Sequence, residues 1–148
     1  MRITQEADYA IRICAMLTRG NQPVSSTMLS KELAITPKFT SKILRELTLA
    51  NLVHSIRGIN GGFTLEREAK SITLRMIIEA IDGPITIRHC LVDEHNCSYQ
   101  QDKSKCRFHV VFEELNSIIK SRLDILTLAD MVDSQVSINE LVDNLSKF

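Results

Sequence analysis

The order of secondary-structure signals in the first half of the chain is the feature that most restricts its fold. Helix-capping side chains precede three short amphipathic segments, which we predict to form helices beginning near Thr4, at Ser25 or Ser26, and at Thr36. The third start signal is the strongest, because the capping threonine is followed directly by Pro37, which suits the first helical position. The sequence therefore opens with three closely spaced helices.

A β-hairpin is predicted immediately after the third helix. Residues 52–57 alternate between apolar and polar side chains, and residues 63–65 return as a second strand. The turn between them, residues 58–62, contains three glycines. Three short helices followed by a hairpin are typical of a winged helix-turn-helix. We therefore predict a mainly α-helical protein with a small β-hairpin, whose winged helix-turn-helix occupies residues 1–70.

The second half of the chain is predicted to contain a fourth helix, from Leu74 to Ile81, and a long helix that starts near Cys106. Apolar side chains recur along the long helix at helical spacing, at Phe108, Val111, Phe112, Leu115, Ile118 and Ile119. Such a stripe needs another surface to cover it. We assign residues 71–133 to a cysteine-bearing loop and this helix, and residues 134–148 to a C-terminal tail.

Charge is distributed unevenly along the chain, although the net charge is zero. Residues 1–70 contain 10 basic and 6 acidic side chains, whereas residues 71–148 contain 8 and 12. This asymmetry favours a polyanionic partner for the first half alone. The sequence shows neither a secretory signal nor an apolar run long enough to span a membrane, so we expect a cytoplasmic protein that does not enter a membrane.

Basic residues lie on the two elements that a winged helix presents to DNA. On the third helix, one face carries Lys38, Ser41, Lys42 and Arg45. Arg57 ends the first strand beside the glycine-rich turn, in a position from which it can enter a minor groove. A solvated helix face and an ordinary hairpin turn would explain each feature alone. Together they favour binding to double-stranded DNA, with the third helix in the major groove.

Three of the four cysteines, Cys90, Cys97 and Cys106, lie close together in a polar segment without periodicity. In a reducing compartment, clustered thiols more often bind a metal or sense redox state than form disulfides. They indicate an iron–sulfur or zinc site, for which His109 is a candidate fourth ligand because it shares a helical face with Cys106. His89 and His95 are also near.

Other interpretations of the cysteines are a redox-active thiol protein, a zinc-stabilised module without redox sensing, and incidental thiols. The fourth cysteine, Cys14, lies on the apolar stripe of the first helix, and we expect it to fill the core as a small hydrophobic residue. Asp8 is expected to pair with Arg12 one turn later. The sequence has no phosphate-binding glycine loop or catalytic triad, so we predict that the protein is not an enzyme.

Three segments together resemble a known family. They are Met1-Arg2-Ile3-Thr4 with Tyr9-Ala10, the wing Ile56-Arg57-Gly58 with Gly61-Gly62-Phe63, and Thr127-Leu128-Ala129-Asp130. With the cysteine loop between them, residues 1–133 resemble the bacterial iron–sulfur winged-helix transcription regulators, of IscR or NsrR type. This resemblance implies a homodimeric repressor that binds a palindromic operator and pairs through its long helix.

The resemblance also implies a cofactor, an iron–sulfur cluster of 2Fe–2S or 4Fe–4S type held by Cys90, Cys97 and Cys106. IscR-type members use a histidine three residues after the last cysteine, which His109 matches. NsrR-type members use an acid in the first helix of the partner subunit, which Asp8 matches. Both candidates are present here, and we favour Asp8. The protein would then sense redox state, nitric oxide or iron–sulfur status.

Overall fold

A computed structural model describes residues 2–20, 22–91, 97, 99 and 102–146. Within these residues the chain forms seven α-helices and one antiparallel hairpin. In chain order they are α1 (Gln5–Leu17), α2 (Ser26–Glu32), α3 (Pro37–Leu49), β1 (Val53–Ile56), β2 (Gly62–Leu65), α4 (Leu74–Asp82), α5 (Arg107–Ile125), α6 (Leu128–Val132) and α7 (Ile138–Ser146). The predicted fold class, mainly α-helical with a small hairpin, is confirmed.

Side-chain caps start the first three helices where the sequence predicts them. The hydroxyl of Thr36 accepts a hydrogen bond from the backbone N–H of Phe39, with Pro37 at the first helical position. The hydroxyl of Ser25 accepts a hydrogen bond from the backbone N–H of Met28, so Ser25 rather than Ser26 caps α2. Each cap satisfies a backbone donor that a helix start leaves without an intrahelical partner.

The core lies where α1, α3 and α4 meet. Ile13, Ile43 and Ile77 are at most 1% exposed, and Cys14 is fully buried among them. Helical spacing from Cys14 predicts Ile11 and Ala15 on the apolar stripe of α1, but these two are only half-buried at its margin. Ile13 and Leu17 complete the buried face instead. The helix faces two neighbours, so its buried surface is wider than a single stripe.

The hairpin is anchored to the segment between α1 and α2. Phe63 exchanges two backbone hydrogen bonds with Val24, of 2.9 and 3.0 Å. Glycine is required here for close packing, since a Cβ on Gly62 would lie 2.7 Å from the Val24 carbonyl oxygen and one on Gly61 would lie 2.3 Å from that of Ile56. Gly62 therefore allows the hairpin to pack closely on the segment before α2, and Gly61 allows the tight turn of the wing.

The long helix α5 is poorly covered within one protomer. Its buried residue is a polar one, Asn116, while Phe108, Val111, Leu115 and Ile118 of the predicted stripe are each more than 40% exposed. Residues 134–148, assigned to a tail from the sequence, include the helix α7. Among the described residues, no helix combines the length and apolar character needed to cross a bilayer.

Candidate DNA interface and cysteine cavity

The exposed face of α3 carries the four polar residues that the sequence singled out. Lys38, Ser41, Lys42 and Arg45, which we call the basic strip, are all exposed. The opposite face packs into the core through Ile43, Leu44 and Leu47. Because the apolar face is fixed inward, the basic strip is directed away from the core, as a helix that enters a major groove requires.

Two cations of the basic strip contact carboxylates. The Nζ atom of Lys42 lies 2.7 and 2.8 Å from the two carboxylate oxygens of Glu6 on α1. Arg45 contacts Glu46 at 3.2 Å. Sequence reasoning missed the Glu6 contact because the two residues lie 36 positions apart and only the packing of α1 on α3 brings them together.

The wing turn begins at Arg57, directly after β1. The Gly61 N–H donates a 3.0 Å hydrogen bond to the Gly58 carbonyl and closes the turn. Arg57 is exposed, and the neighbouring Ile59 projects fully into solvent. The wing therefore presents one cation and one apolar side chain at its tip.

The three clustered cysteines line one cavity. Cys90 lies in a short 3-10 helix, His89–Leu91, and Cys106 directly precedes the first residue of α5. With Cys97 and His109 they border a space of about 190 Å³, whose other lining residues are Arg88, Tyr99, Lys103 and Phe108. Residues 92–96, which include the candidate His95, lie outside the described residues.

His109 lines this cavity and has one ring nitrogen without a hydrogen-bond partner among the described residues. Its Nδ1 atom is buried and has no hydrogen-bond partner among the described residues, while Nε2 lies 3.8 Å from a carboxylate oxygen of Glu113. Within the same residues, no three His, Cys, Asp or Glu side chains are placed to hold a single metal ion. A cluster is larger than one ion and takes its thiolates on different iron atoms, so side chains around a shared cavity suit it better.

Asp8 does not line the cavity of its own protomer. It forms the predicted ion pair with Arg12, at 2.9 Å, on the exposed side of α1. His89 is exposed in its 3-10 helix and is not among the lining residues either. Within one protomer the structure thus brings together Cys90, Cys97, Cys106 and His109, but not Asp8 or His89.

Asn116 and Arg88, which the sequence analysis did not select, hold the start of residues 85–106 in place. We call residues 85–106 the cysteine segment. The side chain of Asn116 on α5 accepts a hydrogen bond from the Ile87 N–H at 3.0 Å and donates one to the Ile85 carbonyl at 3.1 Å. The guanidinium of Arg88 lies over the ring of Phe112, 5.4 Å from its centre. Both contacts join α5 to the segment that leads into Cys90, and neither has a signal in the local sequence.

Cys14 behaves as the sequence predicts. It is fully buried, and burial raises the pKa of its thiol to about 12. A buried, neutral thiol of this kind is unreactive and acts as a small apolar side chain in the core.

A winged helix that exposes a basic strip on its third helix and an arginine on its wing defines a class, the DNA-binding transcription regulators. Comparison with known proteins gives the family. Residues 3–134 match the family model described as Rrf2, iron-dependent transcriptional regulator. The chain therefore belongs to the Rrf2 family.

Individual relatives agree with this assignment. An rrf2-like HTH-type transcriptional regulator of Rhodobacter capsulatus is 34% identical over 88% of this chain and 91% of its own. The regulator IscR of Yersinia pseudotuberculosis is 29% identical over 91% and 81%. Among solved structures, CymR, the global cysteine regulator of B. subtilis, superposes with a TM-score of 0.71 at 25% identity, covering 89% and 96%. IscR of T. potens superposes with a TM-score of 0.67 at 25% identity, covering 89% and 86%.

These relatives are transcription regulators, which confirms both the predicted family resemblance and the prediction that the chain is not an enzyme.

Proposed function

We propose that this Rrf2-family regulator senses redox state, nitric oxide or iron–sulfur status through a cluster held by Cys90, Cys97 and Cys106. The observation that carries the proposal is the single cavity that all three thiols line. The iron-dependence in the description of the matching family model supports it. When bound, an iron–sulfur cluster supplies a centre that gains or loses electrons and is degraded by oxidants.

The chain's own residues explain how a change at the cavity reaches α5. Cys106 directly precedes this helix, and Asn116 ties its middle to the backbone of Ile85 and Ile87. A rearrangement of the cysteine segment therefore acts on α5 at two points. If α5 pairs with its copy in a homodimer, the same rearrangement alters the distance between the two basic strips. The protein then represses transcription in one state of the cavity and not in the other.

The proposed DNA complex is a homodimer on a palindromic operator, with α3 in the major groove and Arg57 in the minor groove. Two-fold symmetry of the protein requires two-fold symmetry of the site it reads. Exposure of the basic strip and the position of Arg57 at the wing tip support this placement.

Substitution of Arg57 by Ala is expected to weaken operator binding by about 1–3 kcal/mol, because an arginine at a base edge contributes roughly that much. Lys38→Ala and Lys42→Ala should each lower the salt dependence of operator binding, since each removes one phosphate contact. Fluorescence anisotropy at several salt concentrations, on an operator selected by the wild-type protein from a random pool, measures both quantities. Unchanged affinity in all three variants would refute this placement of the DNA-reading surface.

His109 is the fourth ligand that the cavity favours, since it lines the cavity and its Nδ1 is buried without a partner in the described residues. Asp8 of the partner subunit is the alternative. His109→Ala and Asp8→Ala, purified separately without oxygen, are expected to differ: the first should alter the visible spectrum and shorten the lifetime of the cluster in air, and the second should not. The reverse result would assign the position to Asp8. If neither variant changes, the ligand is another histidine, solvent or a small molecule.

A further inference from the structure

The ion pair between Glu6 and Lys42 supports an inference that rests on the proposed DNA-reading role of α3. Both carboxylate oxygens of Glu6 accept hydrogen bonds from Lys42 Nζ, so the lysine charge is already balanced within the protomer. We propose that Glu6 is a specificity-determining residue, which withholds Lys42 from the phosphates of DNA that lacks the operator sequence.

Neighbouring contacts fix the positions of the two helices that carry Glu6 and Lys42. The backbone N–H and hydroxyl of Thr4 donate hydrogen bonds to the carboxylate of Asp82, which fixes the start of α1 against α4. One turn beyond Glu6, Tyr9 packs edge-to-face on Phe39, with ring centres 5.8 Å apart. Since Phe39 lies one turn before Lys42 on α3, the aromatic contact and the ion pair join the same two helix faces. The pairing is therefore built into the helix packing.

Stability does not explain this pair. The side chains of Lys42 and Glu6 are 56% and 33% exposed, and ion pairs this open to solvent contribute little to folding. Their position matters instead because Lys42 lies in the middle of the basic strip. The carboxylate of Glu6 beside the basic strip repels phosphate, and it pairs with a lysine that would otherwise bind phosphate.

The expected consequence is a difference between two kinds of DNA. Sequence-independent binding comes from cations that neutralise phosphates and release counterions, and a lysine held by a carboxylate contributes little to it. At the operator, contacts to base edges add free energy that offsets the displacement of Glu6. Glu6 therefore weakens binding to random DNA more than binding to the operator, which raises the ratio of the two affinities.

The test is Glu6→Gln, a change that keeps the shape of the side chain and removes its charge. We expect affinity for a random-sequence duplex to rise about two- to fivefold, the range corresponding to an exposed ion pair. The slope of log affinity against log salt should steepen by about 0.9, the value for one added phosphate contact. The ratio of the affinity for the operator to the affinity for random DNA should fall. In the double variant Glu6→Gln with Lys42→Ala, both gains on random DNA should disappear.

Glu68→Gln is the matched control, since it also removes one negative charge and releases a lysine, Lys70, that is not in the basic strip. A gain equal to that of Glu6→Gln in this control, or a gain that persists without Lys42, would show a general charge effect and overturn the proposal. If Glu6→Gln changes nothing while Lys42→Ala and Arg57→Ala still weaken operator binding, the role of Glu6 is refuted and the proposed function stands. If those two variants also bind normally, both fail.

Discussion

We expect protein purified without oxygen to be brown from the proposed iron–sulfur cluster, and replacing any one of Cys90, Cys97 and Cys106 by alanine to abolish this colour together with most of the bound iron and sulfide. Each thiolate contributes a bond that the remaining ligands around the cavity do not replace. Visible absorption and iron and sulfide analysis of each variant measure the loss. This is the largest effect that we expect from a single substitution.

Cys14→Ala is the matched control, because Cys14 is fully buried in the core and its thiol has a pKa of about 12. The control should keep the wild-type spectrum and iron content. A colourless wild-type protein containing zinc would indicate the zinc-stabilised alternative. A colourless protein without metal would show that the three cysteines hold no cluster, and the proposed sensing function would be wrong.

Substitution of Leu115 or Ile118 by Asp is expected to convert the proposed homodimer into a monomer. Both side chains are exposed in the single protomer, at 45% and 43%, on the apolar stripe of α5. An uncompensated charge buried in an apolar interface costs about 3–5 kcal/mol, and two-fold symmetry places two such charges in the interface. Analytical ultracentrifugation should therefore show a monomer, and operator binding should weaken with it.

Ser117→Asp introduces the same charge on an exposed part of α5 outside the apolar stripe. This control should remain dimeric and should bind the operator normally. If the Leu115 and Ile118 variants remain dimeric as well, the subunits pair through a surface other than the stripe of α5. The proposed coupling between the cysteine segment and the spacing of the basic strips would then lose its basis.

Local signals in the sequence were sufficient to predict α1 to α5 and the hairpin, but not α7, which lies in residues that the sequence assigned to a tail. Thr36 and Pro37 place the start of α3 because a cap and a fixed φ angle act within a few residues. The glycines of the wing predict its turn, and the periodicity of α3 separates its buried face from the basic strip. The grouping of three thiols within 17 residues likewise identified the cysteine segment as a candidate site.

Tertiary structure alone decided which distant groups meet. The sequence analysis favoured Asp8 of the partner subunit over His109 as the fourth ligand, whereas in the single protomer His109 lines the cavity with the three cysteines and Asp8 does not. The contacts of Glu6 with Lys42 and of Asn116 with the Ile85 and Ile87 backbone also join residues from separate elements. Capping and periodicity depend on neighbours along the chain, whereas these contacts depend on how helices pack across the core, and no local pattern of residues records that packing.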